Sequence, residues 1–174
     1  MWAEPGFEAD DLAAHAVRHS ASRWRRIFAA SNDSDLYQLL TVSNFAVFKD
    51  ERGTAVDAAA LRARFGMSPE EFMLASALQG THNDIAGIAG VGEKTAAKIV
   101  RDPALLRRYR DSHGEVIDRN LALIKLPHPE FPRSARLPGR TGPFNSRSLY
   151  RWAGKYGIEV TASMVNAYEQ VARG

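Results

Sequence analysis

Apolar positions along the chain follow a helical period over most of its length and an alternating or continuous pattern in two short stretches near the start. From residue 9 to residue 20, Leu12, Ala13, Ala16 and Val17 recur at three- and four-residue spacing, which predicts a short amphipathic helix. Residues 24–30 predict a strand that runs into the polar turn Ser31-Asn32-Asp33-Ser34-Asp35. Residues 36–40 read as a short helix, and residues 42–48, rich in β-branched and aromatic side chains, as a second strand. A helix over 57–65 is closed by Gly66, and Ser68-Pro69-Glu70-Glu71 opens the next with a cap, a proline in the first turn and acidic residues at the positive helix end. Beyond the glycine-punctuated stretch 85–92, helices are predicted over 93–100, 104–109, 115–124, 146–155 and 163–172. The five prolines between Leu126 and Phe144 predict an extended, ordered loop. Two strands followed by many helices describe the edge of an α/β sheet with a helical region behind it. Two strands make a poor sheet unaided, so the pattern predicts that part of a larger sheet is missing.

Composition narrows the class. The chain has 174 residues, 45% hydrophobic and 25% charged, which fits one soluble domain, or one with a small appendage, and excludes a disordered tail. With no cysteine, disulfide scaffolds, thiolate zinc sites and cysteine nucleophiles are excluded. No apolar run approaches the roughly 20 residues of a membrane span. The N-terminus lacks a signal-peptide pattern, so the expectation is a cytoplasmic protein with no membrane partner. Charge is unevenly spread: residues 1–100 carry 10 Lys/Arg against 13 Asp/Glu, a net −3, and residues 101–174 carry 13 against 7, a net +6. An acidic front and a basic back fit a metal centre beside a polyanion-binding surface, although chance gives such a swing fairly often.

Three segments carry candidate chemistry. Glu8-Ala9-Asp10-Asp11 puts three carboxylates within one helical turn, costly unless cations neutralise them. Helix capping is the alternative use of the same residues. Asp33-Ser34-Asp35, at the end of a predicted strand, can point two carboxylates at one hard cation or form a capping turn. Gly87-Ile88-Ala89-Gly90-Val91-Gly92-Glu93-Lys94-Thr95 is the most specific feature. Glycines ahead of a helix leave N–H groups aimed at an anion, and Lys94 and Lys98 add positive charge one turn apart. This is a helix-hairpin-helix pattern, which grips the DNA phosphodiester irrespective of sequence; a tight helix–helix turn is the alternative. The C-terminal half adds Arg101, Arg107, Arg108, Arg110, Arg133, Arg136, Arg140, Arg147, Arg151 and Lys155 as a candidate backbone track. His15 and His19, four apart with no glutamate in the metalloprotease position, read as a surface feature.

Taken in order, the blocks Gly6–Leu12, Ser31–Leu36, Phe65–Glu71 and Gly87–Ala97 resemble the structure-specific 5′ nucleases: flap endonucleases, phage 5′–3′ exonucleases and the 5′-nuclease domain of bacterial DNA polymerase I. The resemblance implies an α/β fold, a partial PIN-like 5′-nuclease core over residues 1–66, followed over 67–174 by a helical DNA-binding region with a helix-three-turn-helix. It implies hydrolysis of DNA at a 5′ end or flap with Mg2+ or Mn2+, two metals being expected, and duplex DNA as partner. Ligand positions would be Glu8, Asp10, Asp11, Asp33 and Asp35, with Asp11 and Asp33 catalytic. The hairpin positions Gly87, Gly90, Val91, Gly92, Lys94, Thr95 and Lys98 would hold the duplex, with K+ on main-chain carbonyls. Two departures stand out: the family's N-terminal strand and arch are absent, and Gly80 and Asn83 occupy its second-site Asp positions, leaving Asp84 as a substitute. The alternative is a DNA-binding remnant without cleavage, or one subunit of a split nuclease whose missing strand comes from a second chain.

Overall fold

The structure, a computed structural model, describes residues 4–48, 55–81, 85–132, 145–155, 160–162 and 165–166. In chain order these hold α1 (Ala9–Ser20), β1 (Ile27–Ala30), a 3-10 helix (Asp35–Thr41), β2 (Phe45–Phe48), β3 (Ala55–Val56), α2 (Ala58–Phe65), α3 (Pro69–Gln79), α4 (Glu93–Arg101), α5 (Pro103–Ile124) and α6 (Ser146–Lys155). Among the described residues no helix is long and apolar enough to cross a membrane.

Local chemistry sets the helix ends. Asp57 Oδ1 accepts from Ala60 N–H at 2.8 Å to start α2, and Gly66, at φ 64°, ends it in the left-handed conformation. Ser68 and Glu71 form a reciprocal capping box at α3, 3.2 and 2.7 Å, with Pro69 inside the first turn. The helices expected over 104–109 and 115–124 join into α5, with a kink at His113, whose φ of −136° is non-helical. A third strand, β3, escapes the sequence pattern because two residues carry no period. The extended loop is described as far as Pro132; the rest of it, and most of the helix expected over 163–172, lie outside the described residues.

The sheet order is β1-β2-β3, with β1 and β2 parallel (Ile27 opposite Phe45, Ala30 opposite Phe48) and β3 antiparallel to β2. As the middle strand, β2 is buried throughout. Its inward residues Phe45 and Val47, with Ile27 and Ala29, pack against Ala14 and Val17 of α1, Leu36, Leu39 and Leu40 of the 3-10 helix, and Leu61 of α2. On the opposite face Phe28 and Phe48 stack with centroids 5.0 Å apart. A second core gathers Met67, Leu78, Ile88, Val91, Ala96, Ile99 and Ile117 from α3, α4, α5 and the turn between α3 and α4. Phe65 and Phe72 touch both cores.

One buried polar group ties the helical region together. Asn120 is fully buried, and its Nδ2 donates to Ala77 O (2.8 Å) and Ala86 O (3.0 Å), while Arg119 donates to Asn120 Oδ1 at 2.9 Å. Nearby the backbone crosses itself at the Gly80–Ala86 bridge, where a Cβ on Gly87 would stand 2.2 Å from Gln79 backbone atoms. Asn120→Ala is therefore expected to destabilise by about 1–3 kcal/mol, because the buried Ala77 carbonyl loses its side-chain donor and Ala86 O keeps only Arg119. Gly87→Ala should cost about 1–3 kcal/mol through overpacking. Urea unfolding checks both: a midpoint that falls at constant slope is expected, and an unchanged midpoint contradicts the account.

Candidate active site and nucleic-acid interface

The end of β1 and the start of α1 bring the N-terminal carboxylates together. Glu8 caps α1 in an extended conformation, and Asp10 and Asp11 fill its first turn, where the helix dipole favours negative charge. Asp11 is turned inward: only 6% exposed, it accepts from Glu8 N–H at 3.3 Å through Oδ2 and from His128 N–H at 2.5 Å through Oδ1. Asp10 is half-buried and its Oδ1 accepts from Asp11 N–H at 2.9 Å. Beyond β1, Asp33 Oδ1 accepts from Asp35 N–H (2.9 Å) and Asp33 N–H donates to Ser31 Oγ (3.0 Å), so the turn is folded by its own side chains. Asp35, half-buried, opens the 3-10 helix.

These groups repel one another. Burial pushes the Asp35 carboxyl above the ordinary range, and the charges of Asp33 and then Asp10 push it further. Asp10 is likewise raised by burial, and the backbone bond to Asp11 opposes this, while the charges of Asp11 and Glu8 add to it. Asp10, Asp33 and Asp35 thus share one negative field although α1 and the turn lie on different elements. Among the described residues none of Asp10, Asp33 and Asp35 stands in an ion pair. Oxygen donors of this kind suit a hard divalent cation, and the uncompensated repulsion is what such an ion relieves. As the side chains stand, no three Asp, Glu or His among the described residues are grouped tightly enough to hold one ion. Glu8 is exposed at the edge of the field, and Asp84 lies outside the described residues.

Sequence reading missed the strap that closes this face. The Gln38 amide donates to Ile124 O (2.9 Å) and accepts from Leu126 N–H (2.8 Å), and Arg18 donates to Leu126 O at 2.7 Å. Phe131 packs edge-on against Phe7 and tilted against His15, each at 5.0 Å. His15 is buried, its ring tilted against that of exposed His19 with centroids 3.8 Å apart, which corrects the expectation of a surface feature for His15. No period or motif marks Gln38 or Arg18, since their partners are backbone atoms distant in sequence.

The second face lies between α3 and α4. Ile88 N–H donates to Leu78 O (2.9 Å) and Val91 N–H to Ile88 O (3.0 Å), and both side chains are buried, which fixes the turn onto the second core. Gly90 takes φ 78°, and Gly92 stands at the N-cap of α4 with no side-chain cap, leaving the first N–H groups of the helix exposed. A Cβ on Gly90 or Gly92 would meet nothing, so the space above the turn is open. Lys94 and Lys98 are exposed beside it and Thr95 is half-buried. Gly87 is needed for the backbone crossing described above. Arg107, Arg108 and Arg110 on α5 and Arg147 and Arg151 on α6 are exposed, whereas Arg101 is tied to Phe65 O. Arg133, Arg136 and Arg140 lie outside the described residues.

No family model matches the chain. It is 36% identical over 99 residues to the thermostable DNA polymerase I of Thermus thermophilus, covering 56% of this chain and 12% of that protein. It is 32% identical over 133 residues to the DNA polymerase I of Mycobacterium bovis, covering 70% of this chain and 15% of that protein. The chain therefore spans only a small part of these relatives' length. Its fold matches the bacteriophage T5 5′-exonuclease bound to divalent zinc, with a TM-score of 0.62 at 24% identity over 72% of this chain and 52% of that one. It also matches the T5 flap endonuclease in a pseudo-enzyme–product complex with DNA and metal ions, at 0.62, 23%, 72% and 52%. The chain thus resembles part of bacterial DNA polymerase I in sequence and the T5 5′-exonuclease in fold.

The carboxylate repulsion has a measurable consequence. With folded-state pKa values above the ordinary 3.8, Asp10 and Asp35 hold protons that the unfolded chain has released, so stability falls as pH rises from 3.8 through the raised values. Asp35→Asn is expected to raise Tm at pH 7 in chelator, by about 2–4 °C for each kcal/mol of repulsion relieved. The gain should vanish below pH 3.8. A gain that persists undiminished in acid means that charge is not its cause.

Proposed function

We propose that the chain is the carboxylate- and hairpin-bearing part of a structure-specific 5′ nuclease. Such an enzyme hydrolyses DNA phosphodiesters at a 5′ end or flap with Mg2+ or Mn2+, and residues 1–66 are the part of the nuclease core present here, residues 67–174 the DNA-binding region. The carrying observation is that Asp10, Asp33 and Asp35 converge electrostatically at the C-terminal end of a parallel strand with no basic partner among the described residues. Ligands bind at such strand ends in α/β folds. A divalent cation there supplies charge neutralisation on the phosphate and a more acidic water.

The chain's own residues have distinct roles in this reading. Asp33, exposed on the turn, and Asp35 beside it offer oxygens to the ion, with Asp10 across from them and Glu8 at the rim. Asp84 is a further candidate for the second metal. Asp11 retains the ligand and catalytic role that the resemblance gives it only through lone pairs left over from Glu8 and His128 N–H. Its other work is to pin residue 128 to α1. At the hairpin, the open N–H groups around Gly90 and Gly92 and at Thr95 meet phosphate oxygens, Val91 anchors the turn through its buried side chain and its bond to Ile88 O, Lys94 and Lys98 add charge, and K+ binds main-chain carbonyls of the turn.

A second reading is a DNA-binding subunit that cuts only in company. It is favoured by β1, which among the described residues pairs with β2 alone and so has an open edge. It is favoured also by the lack of any tight three-residue metal group.

Incubation of the chain with a labelled 5′-flap duplex and magnesium or manganese decides between the two. Metal-dependent cutting, lost in Asp33→Asn while DNA binding is kept, is the outcome of the first reading. A gel shift without cutting is the outcome of the second. Lys94→Ala should weaken binding for all sequences and reduce the slope of log K against log salt by about one. An unchanged slope removes the hairpin as the grip.

A further inference from the structure

Between the acidic turn and the start of α4 lies a cavity of 170 Å³ that neither metal binding nor phosphate gripping uses. Its interior is apolar, formed by Phe65, Met67, Phe72 and Ala75, with Tyr37 behind. Phe72 stands edge-on to Phe65 (5.2 Å) and to Tyr37 (5.5 Å), so the aromatic wall is held rigid by its own packing. The polar lining is Ser34, Ser76, Gln79 and Glu93. None of these four side chains has a hydrogen-bond partner among the described residues. The lining runs from Ser34, between the two carboxylates of the turn, to Glu93, the first residue of α4.

We propose that this cavity receives one unpaired nucleobase of the bound DNA, and that it favours bases carrying an exocyclic amine. The proposal rests on the nuclease reading above. The volume is well below that of a pocket for a drug-sized ligand and suits a single flat ring system. Proteins that hold an extruded base stack it against aromatic or apolar side chains and read its edge with a few polar groups, and this cavity has both. Glu93 can only accept when ionised, so it pairs with the amine of cytosine, adenine or guanine, whereas thymine offers it only N3–H, flanked by two carbonyl oxygens that repel the carboxylate. Gln79 and the two serines give and accept, and complete the edge. The position fits the path of a strand as well. A duplex held at the hairpin and a phosphate that a divalent cation would bridge to Asp33 and Asp35 bracket the cavity, so the base in it belongs to the nucleotide between grip and carboxylates. Unpairing that nucleotide is cheapest at a flap or frayed 5′ end, which gives the fold a way to select such ends without reading sequence.

The test measures binding of the full chain to 5′-flap duplexes in calcium at fixed salt. The nucleotide at the junction is cytosine, thymine or an abasic residue, in wild type, Ser76→Leu (which fills the cavity) and Gln79→Ala (which removes part of the edge). Wild type should lose about tenfold in affinity on going from cytosine to the abasic residue, in the range of one base stacked on an aromatic side chain. It should lose severalfold from cytosine to thymine. Ser76→Leu should bind all three substrates alike, and Gln79→Ala should keep the abasic penalty but lessen the cytosine preference. Circular dichroism confirms that each variant is folded, and if Ser76→Leu is not, Gln79→Ala carries the test alone. Equal affinities of folded wild type for cytosine and abasic substrates, with binding still dependent on Lys94, overturn the base site and leave the nuclease reading standing. Absence of any duplex binding overturns both.

Discussion

The amide of Gln38 is the fastening on which the rest of the arrangement depends. It grips the backbone on either side of Lys125, accepting from Leu126 N–H and donating to Ile124 O, so the end of α5 is laid against the 3-10 helix. From there Leu126 enters the first core, Arg18 holds its carbonyl, and Asp11 holds the next turn of chain through His128. Each of these bonds satisfies a backbone group that packing would otherwise strand. The consequence is that α5, the scaffold of the helical region, and the turn bearing Asp33 and Asp35 cannot drift apart without breaking several bonds together.

That rigidity is what lets the carboxylates stay close. Asp10 and Asp35 sit half-buried on separate elements, each pushed up first by burial, and the charges of Asp33 and Asp10 push Asp35 further, a state that a loosely held turn relieves by moving away. Here the turn is closed by Asp33 on Asp35 N–H and by Ser31 on Asp33 N–H, and the helix behind it by Leu36, Leu39 and Leu40 in the core. The fold bears an electrostatic cost in return for a shared negative field, which is the usual relation between stability and a charged functional site.

The elements legible in the sequence are those whose signal is local. The cap at Ser68, the stop at Gly66, the periodic face of α1 and the apolar run of β2 all reappear, because each depends on neighbours within a few residues. The acidic blocks were legible as chemistry, but not the division of labour within them: nothing local says that Asp11 turns inward to His128 N–H while Asp10 faces Asp35. Gly87 was legible as a needed glycine, yet its need lies in the crossing with Gln79 rather than in an open turn such as Gly90. Gln38, Arg18 and Asn120 were silent because these partners lie 34 to 108 residues away and are backbone atoms of no particular residue type.

Helix α3 joins these two kinds of site. It packs against the 3-10 helix on one side and against α4 and α5 on the other. Phe72 near its start belongs to both cores, and Leu78 near its end receives the hairpin through Ile88 N–H. Its 11 residues correspond to about 16 Å of rise. On the proposed reading this length sets the spacing between the phosphates gripped at the turn and the one beside Asp33, so the helix acts as a ruler. A ruler works only if it cannot bend. The capping box and proline at one end, the Asn120 bond to Ala77 at the other and the two shared phenylalanines along its flank meet that condition. Selection of a DNA end by structure then follows from geometry: only a strand that can leave the duplex within the length of α3 reaches the carboxylates.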